Sequence, residues 1–150
     1  MNSAGGYVVT AINGGLGNQM FQYAAGRRLA HINGKELLLY LGERYRPGSY
    51  RTYRLDRFQI AGRIATASEA GVLKKASRTR QRLGKLFPTF ATPEDPEVVQ
   101  EQSLRFDPGI LCLRGNVKLN GYWQCERYFS DIAGIIREDL TLHGALTGRD

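Results

Sequence analysis

A chain of 150 residues with 42% hydrophobic content can bury about two-thirds of its unfolded surface, enough for one compact core. Lys and Arg outnumber Asp and Glu by 21 to 14, and the net charge of +7 biases the surface toward anionic partners without speaking to fold. No run reaches the roughly 18 apolar residues of a membrane span, and the first residues, Met1-Asn2-Ser3-Ala4-Gly5-Gly6, lack the basic start and apolar run of a secretory signal.

A cytoplasmic protein is the resulting expectation. Cys112 and Cys125 form no C-x-x-C and have no histidine nearby. That spacing argues against a zinc site or a redox pair and for two packing residues.

The first element is Tyr7-Val8-Val9-Thr10-Ala11-Ile12, short, apolar and β-branched, which predicts a buried strand. After Asn13-Gly14-Gly15-Leu16-Gly17-Asn18, the residues Phe21, Ala24, Ala25, Arg28, Leu29 and Ile32 recur at helical spacing. Asn18 is placed to cap that helix, and Asn33-Gly34 to stop it. Glu36 to Leu41 then reads as a second strand. Strand, helix and strand within about 35 residues make a βαβ unit, with a parallel sheet and a right-handed crossover.

From Arg44 to Arg54 the chain is rich in Tyr, Arg and Gly, which predicts an irregular surface connection. Tyr53, Leu55, Phe58 and Ile60 tie it to the core. Thr66 with Glu69 forms a capping box that opens a second helix, with Val72, Leu73, Ala76, Leu83, Leu86 and Phe87 on one face. The opposite face, from Lys74 to Lys85, is strongly basic. Pro88, Pro93 and Pro96 end this pattern, and Phe106-Asp107-Pro108 marks a turn. Val117 to Trp123 reads as a strand, Phe129, Ile132, Ala133, Ile136 and Leu140 as the buried stripe of a last helix, and 144–150 as a frayed tail.

Chemistry concentrates in the glycine turn. A turn between a buried strand and a helix start exposes unpartnered amides, and Gly14, Gly15 and Gly17 remove side chains that would hold a phosphate away. The run has no Gly-Lys-Ser/Thr, and Met20 stands where G-x-G-x-x-G needs its third glycine. A purely structural turn with close helix packing remains the alternative.

The stretch Gly14-Gly15-Leu16-Gly17-Asn18-Gln19-Met20-Phe21-Gln22-Tyr23-Ala24 resembles the amino-terminal signature of the bacterial α-1,2-fucosyltransferases, glycosyltransferase family 11. Further resemblances follow in order: Tyr53-x-Leu55-x-x-Phe58, Gly121-Tyr122-Trp123-Gln124 with Arg127-Tyr128-Phe129, and Ile136-Arg137-x-x-Leu140. What the resemblance implies is an α/β fold, a Rossmann-like parallel sheet flanked by helices, forming the amino-terminal lobe of a two-lobed GT-B transferase over residues 1–143. It implies inverting transfer of L-fucose from GDP-fucose to a galactoside hydroxyl, with no cofactor and no required metal. Membrane association is also commonly assigned to the family.

By the same resemblance Gly14, Gly15, Leu16, Gly17, Asn18 and Gln19 would face the donor, through Asn18 or Gln19. Tyr122, Trp123 and Gln124 would meet the acceptor, an aromatic face against a sugar ring and an amide against its hydroxyls. Capping competes with the donor role of Asn18, and a plain core position competes with the acceptor role of Trp123.

Two departures bear on activity. The family's H-x-R-R-x-D motif, suited to gripping a diphosphate, is absent from the 150 residues, so the second, donor-binding lobe is expected to be missing and the chain alone inactive. Tyr40 stands where the family's second strand usually ends in Asp. No pair of acidic residues marks a general base, and His31 and His143 read as surface residues. The basic run from Lys74 to Lys85 reads first as a solvated helix face, then as a peripheral contact with anionic lipid. A stand-alone nucleotide- or sugar-binding module and a basic nucleic-acid-binding protein are the competing functions, although no nucleic-acid-binding signature is present.

Overall fold

A computed structural model describes residues 5–42, 45, 52–74 and 96–144. Strand β1 (Tyr7–Ala11) runs into helix α1 (Leu16–Asn33), which returns to strand β2 (Glu36–Tyr40). These three elements are the expected βαβ unit. The helix stops where Gly34 enters the left-handed region at φ 61° and its amide bonds back to the carbonyls of Ala30 and His31, a geometry that glycine adopts without steric cost.

Strand β3 (Arg63–Ile64), a helix α2 described over 67–74, strand β4 (Glu97–Gln100), strand β5 (Val117–Asn120) and helix α3 (Ala133–Asp139) follow. All strand pairs are parallel, in the order β3-β2-β1-β5-β4. Tyr7 pairs with Glu36 and Ala11 with Tyr40 on one side of β1, while Val8 to Thr10 pair with Val117 to Leu119 on the other. The result is a Rossmann-like α/β arrangement. Because every strand points the same way, all carboxyl ends emerge along one edge.

The sheet divides its side chains by the two-residue strand period. Val8, Ile12, Leu37, Leu39, Val117 and Leu119 share a core with Tyr23, Ala24 and Leu29 of α1. Val9 and Leu38 form a second cluster with Leu73 of α2. Helix α1 approaches the sheet closely at Gly26, where an added Cβ would lie 2.8 Å from Cβ of Thr10 and 3.1 Å from Cδ1 of Leu37. Gly26→Ala is therefore expected to lower stability by about 1–3 kcal/mol through overpacking, despite a helix-propensity gain of about 1 kcal/mol. A urea midpoint equal to or above the parent's would refute the close approach.

Several expectations change. Asn18 does not cap α1: the cap position falls on Gly15 and the helix begins at Leu16, with no side-chain cap. Ile32 is 45% exposed and leaves the predicted buried stripe. The strand expected over Val117 to Trp123 ends at Asn120. The final helix is shorter than its apolar stripe, since two 3-10 turns, Glu126–Tyr128 and Ser130–Ile132, precede α3. Strands β3 and β4 had no counterpart in the sequence reading. Cys112 is exposed rather than packed, while Cys125 is half-buried against the core.

The capping box stands. Thr66 N donates to Glu69 Oε2 at 2.7 Å and Glu69 N to Thr66 Oγ1 at 3.3 Å. Hydrogen bonds from Arg63 and then from Thr66 hold the Glu69 carboxyl down at about 2. Beyond Lys74, the predicted apolar face and the basic run to Lys85 lie outside the described residues, as does the tail past Gly144. No described helix is long and apolar enough to cross a membrane.

Candidate functional site

The chain leaves β1 for β2 and β3 on one side, then returns to build β4 and β5 on the other. The order therefore reverses between β1 and β5, and at such a switch point the loops leaving the two strands diverge and open a crevice at their carboxyl ends. The loops meeting here are Ile12 to Gly15 after β1 and Gly121 to Cys125 after β5. These are the two segments that the sequence singled out.

The glycine loop is held from beneath by the glutamines of α1. Gln19 is buried; its Nε2 donates to Gly14 O and Thr52 O, both at 3.0 Å, and its Oε1 accepts Arg54 N at 2.9 Å. Tyr45 adds a hydroxyl bond to Gly14 O at 3.2 Å. Gln19 thus sits under the loop with its amide engaged. Gln22, also buried, accepts Asn13 N at 2.9 Å and donates to Gly121 O at 3.0 Å, joining the loop after β1 to the loop after β5. Gly14 turns at φ 79°, and an added Cβ would stand 2.6 Å from Nδ2 of Asn18.

Above these clasps the surface is open. Leu16 and Gly17 are exposed, a Cβ at Gly17 would meet nothing within 4 Å, and the first turn of α1 carries no acidic residue and no side-chain cap. An 18-residue helix whose first amides lack intrahelical partners presents positive potential there. Asn18 lies in that first turn, and its Oδ1 accepts Gln124 Nε2 at 2.6 Å. The donor-side and acceptor-side candidates thus meet across the switch point.

Of the remaining candidates, Tyr122 is 39% exposed and Trp123 only 1% exposed. Trp123 adopts φ 56°, an uncommon left-handed conformation for a bulky residue. Glu101, which follows β4, holds it there: its carboxylate accepts Tyr122 N at 2.7 Å and Trp123 N at 3.1 Å. The Trp123 ring stands edge-on to Tyr128, with centroids 5.6 Å apart. Glu101 and Gln22 escaped the sequence reading because their partners lie far along the chain.

A second polar group anchors α1 behind the site. Tyr23 donates its hydroxyl to Asp139 Oδ2 at 2.7 Å and accepts Ala61 N at 2.9 Å, while Arg27 Nε lies 2.8 Å from the same carboxylate oxygen. Burial, then the bond to Asp139, push the Tyr23 hydroxyl up. Arg28 grips Asp131 at 2.7 Å and Leu111 O at 2.8 Å, and its hydrogen bonds draw the Asp131 carboxyl down. These groups bond one another, so their role is to fix the helix. Among the described residues, no three His, Cys, Asp or Glu side chains are placed to hold a metal ion.

No family model matches the chain, and no solved structure matches it. The chain is similar to the α-1,2-colitosyltransferase of Escherichia coli, with 28% identity over 134 residues covering 89% of this chain and 44% of that protein. It therefore spans less than half the length of the curated relative it matches.

Proposed function

We propose that this chain is the amino-terminal lobe of an inverting α-1,2-fucosyltransferase, which transfers L-fucose from GDP-fucose to a galactoside hydroxyl. The observation that carries the reading is the uncapped start of α1 behind Gly14 to Gly17, set at the β1–β5 switch point and joined by Asn18 to Gln124. A diphosphate accumulates negative charge as it leaves the anomeric carbon. Fixed backbone amides and a helix terminus stabilise that charge without having to reorganise. The acceptor oxygen forms the new bond on the opposite face of the anomeric carbon, which accounts for inversion.

In this reading the glycine loop lies against the donor, which Asn18 orients, while Gln124, bonded to Asn18 across the switch point, faces the acceptor. Gln19 keeps the loop in place from below. Similarity to an α-1,2 sugar transferase supports the same reaction class. It also favours a second choice of sugar: colitose, the sugar in that relative's name, in place of fucose. Competition between the two nucleotide-linked sugars for the chain separates these.

Asn18→Asp tests the site. A carboxylate in the first turn favours the helix dipole by about 0.3–1 kcal/mol and still accepts from Gln124, so stability is expected to hold or rise. The same charge repels a diphosphate. In saturation-transfer NMR, GDP-fucose is expected to bind the chain only weakly, with a Kd of about 1–10 mM in keeping with the absent diphosphate-gripping motif, and to bind Asn18→Asp about threefold to tenfold more weakly. Equal affinity for the two proteins, or no binding to either, would remove the donor from this loop.

A further inference from the structure

The glycine loop is open at Leu16 and Gly17, which are exposed, but one side chain lies over its start. The Asn18 amide folds back onto Gly14, where an added Cβ would stand 2.6 Å from its Nδ2, 3.3 Å from its Cβ and 3.4 Å from its Cγ. Capping does not hold it there, because α1 has no side-chain cap. Its one hydrogen bond among the described residues comes from Gln124, whose Nε2 donates to Asn18 Oδ1 at 2.6 Å from the far side of the switch point.

The two ends of this bond differ in freedom. Gln124 leaves a loop whose backbone is fixed: Glu101 accepts Tyr122 N at 2.7 Å and Trp123 N at 3.1 Å, and Cys125 N donates to Trp123 O at 2.7 Å. Trp123 is buried at φ 56°, a conformation that a bulky residue keeps only where its surroundings enforce it. The side chain of Gln124 is exposed and that of Asn18 only half-buried. Water competes for an amide–amide bond in such a place, so its net strength is small. A contact of this kind biases a conformation without locking it.

We propose that the Asn18–Gln124 bond is an autoinhibitory latch, which keeps Gly14 covered until an anion at the loop displaces it. The latch rests on the reading of the glycine loop as the place of the donor's diphosphate. For that group to settle against the backbone at Gly14, the Asn18 side chain has to swing away, and its Oδ1 has to leave Gln124. Opening draws on binding energy, so the closed state lowers the affinity of the chain for the anion in proportion to its population. Glu101 is the positioning residue of the latch, since it sets the loop from which Gln124 reaches across.

Two variants open the latch in different ways. Gln124→Met keeps the reach of the side chain without its donor, and Gln124→Ala removes the side chain as well. Gln124 is exposed and bonds only Asn18 among the described residues, so both variants are expected to fold as the parent does. Inorganic pyrophosphate, titrated at constant ionic strength and followed by NMR, is expected to bind each of them about two- to tenfold more tightly than the parent. In the parent, saturating pyrophosphate is expected to move the Gln124 side-chain amide resonance to its position in Asn18→Ala, which lacks the acceptor. The latch is overturned if either variant binds pyrophosphate no more tightly than the parent, or if the resonance stays in place at saturation. Those results, with pyrophosphate still bound, leave the donor reading standing. No binding by any of the three proteins overturns the donor reading and the latch together.

Discussion

Gln22→Leu is expected to lower the free energy of unfolding by about 1–3 kcal/mol, since it strands two half-buried backbone groups, which water reaches only in part, at up to about 1–3 kcal/mol each. The groups are Asn13 N–H and Gly121 C=O, which the wild-type amide bridges. Leucine is close in volume, so little of the loss comes from a cavity. Its consequence reaches past stability, because these two groups lie on the loops either side of the switch point. With the bridge gone, the spacing of Gly14 to Gly17 from Gln124 is no longer fixed, and GDP-fucose affinity should fall along with the denaturation midpoint.

Gln22→Glu refines the test. A carboxylate still accepts from Asn13 but sets a second oxygen against Gly121 O, whereas the protonated carboxyl can donate to it. Stability of this variant relative to the parent should therefore recover as pH falls toward the carboxylate range, about 4. A loss below about 0.5 kcal/mol in Gln22→Leu, the size of an ordinary surface substitution, would show that the bridge does not hold the loops.

The same residue shows where sequence reasoning stops. The strand β1, the glycine turn and the left-handed stop at Gly34 are written locally, in β-branched runs and glycines, and they were legible. Gln19, Gln22, Tyr23 and Gly26 fall at i, i+3, i+4 and i+7 and are all buried, a helical stripe as regular as any apolar one. The periodicity read from Phe21, Ala24, Ala25, Arg28, Leu29 and Ile32 passes over it. Their partners Thr52, Gly121 and Asp139 lie 33, 99 and 116 residues away, and nothing in the local sequence announces such pairings.

Asn18 failed as a cap for a related reason. Gly15 takes the cap position in extended geometry, which leaves the Asn18 side chain to Gln124 on a distant loop. The edge strands were invisible for a different one. β3 has two residues, both exposed, and β4 follows Pro96 and begins with exposed Glu97, so neither shows the alternation of a half-buried strand. They exist because β2 and β5 present open edges, which is tertiary information.

Lys118 carries the second large effect, and it appears as a slope in pH. It lies in β5 between Val117 and Leu119, is 4% exposed, and holds its Nζ 4.2 Å from the Tyr40 ring centroid and 3.4 Å from Leu73 O. Burial lowers its ammonium from 10.5 to about 8. Below pH 8 the group is charged whether folded or unfolded, and the folded state bears the full cost of burying it. Between pH 8 and 10.5 the folded chain has released the proton while the unfolded chain still holds it.

Because the unfolded state binds more protons in that window, this group makes stability rise with pH, by at most about 1.4 kcal/mol per unit. Other lysines and the tyrosines titrate in the same range, so the informative quantity is the difference between the parent and Lys118→Met. Urea unfolding from pH 7 to 10 should show the parent gaining on the variant above pH 8. Parallel curves would mean that the ammonium is not penalised where it sits. The face concerned is the one closed by Leu73 of α2, and Lys118 stands three residues before Gly121, which Gln22 anchors.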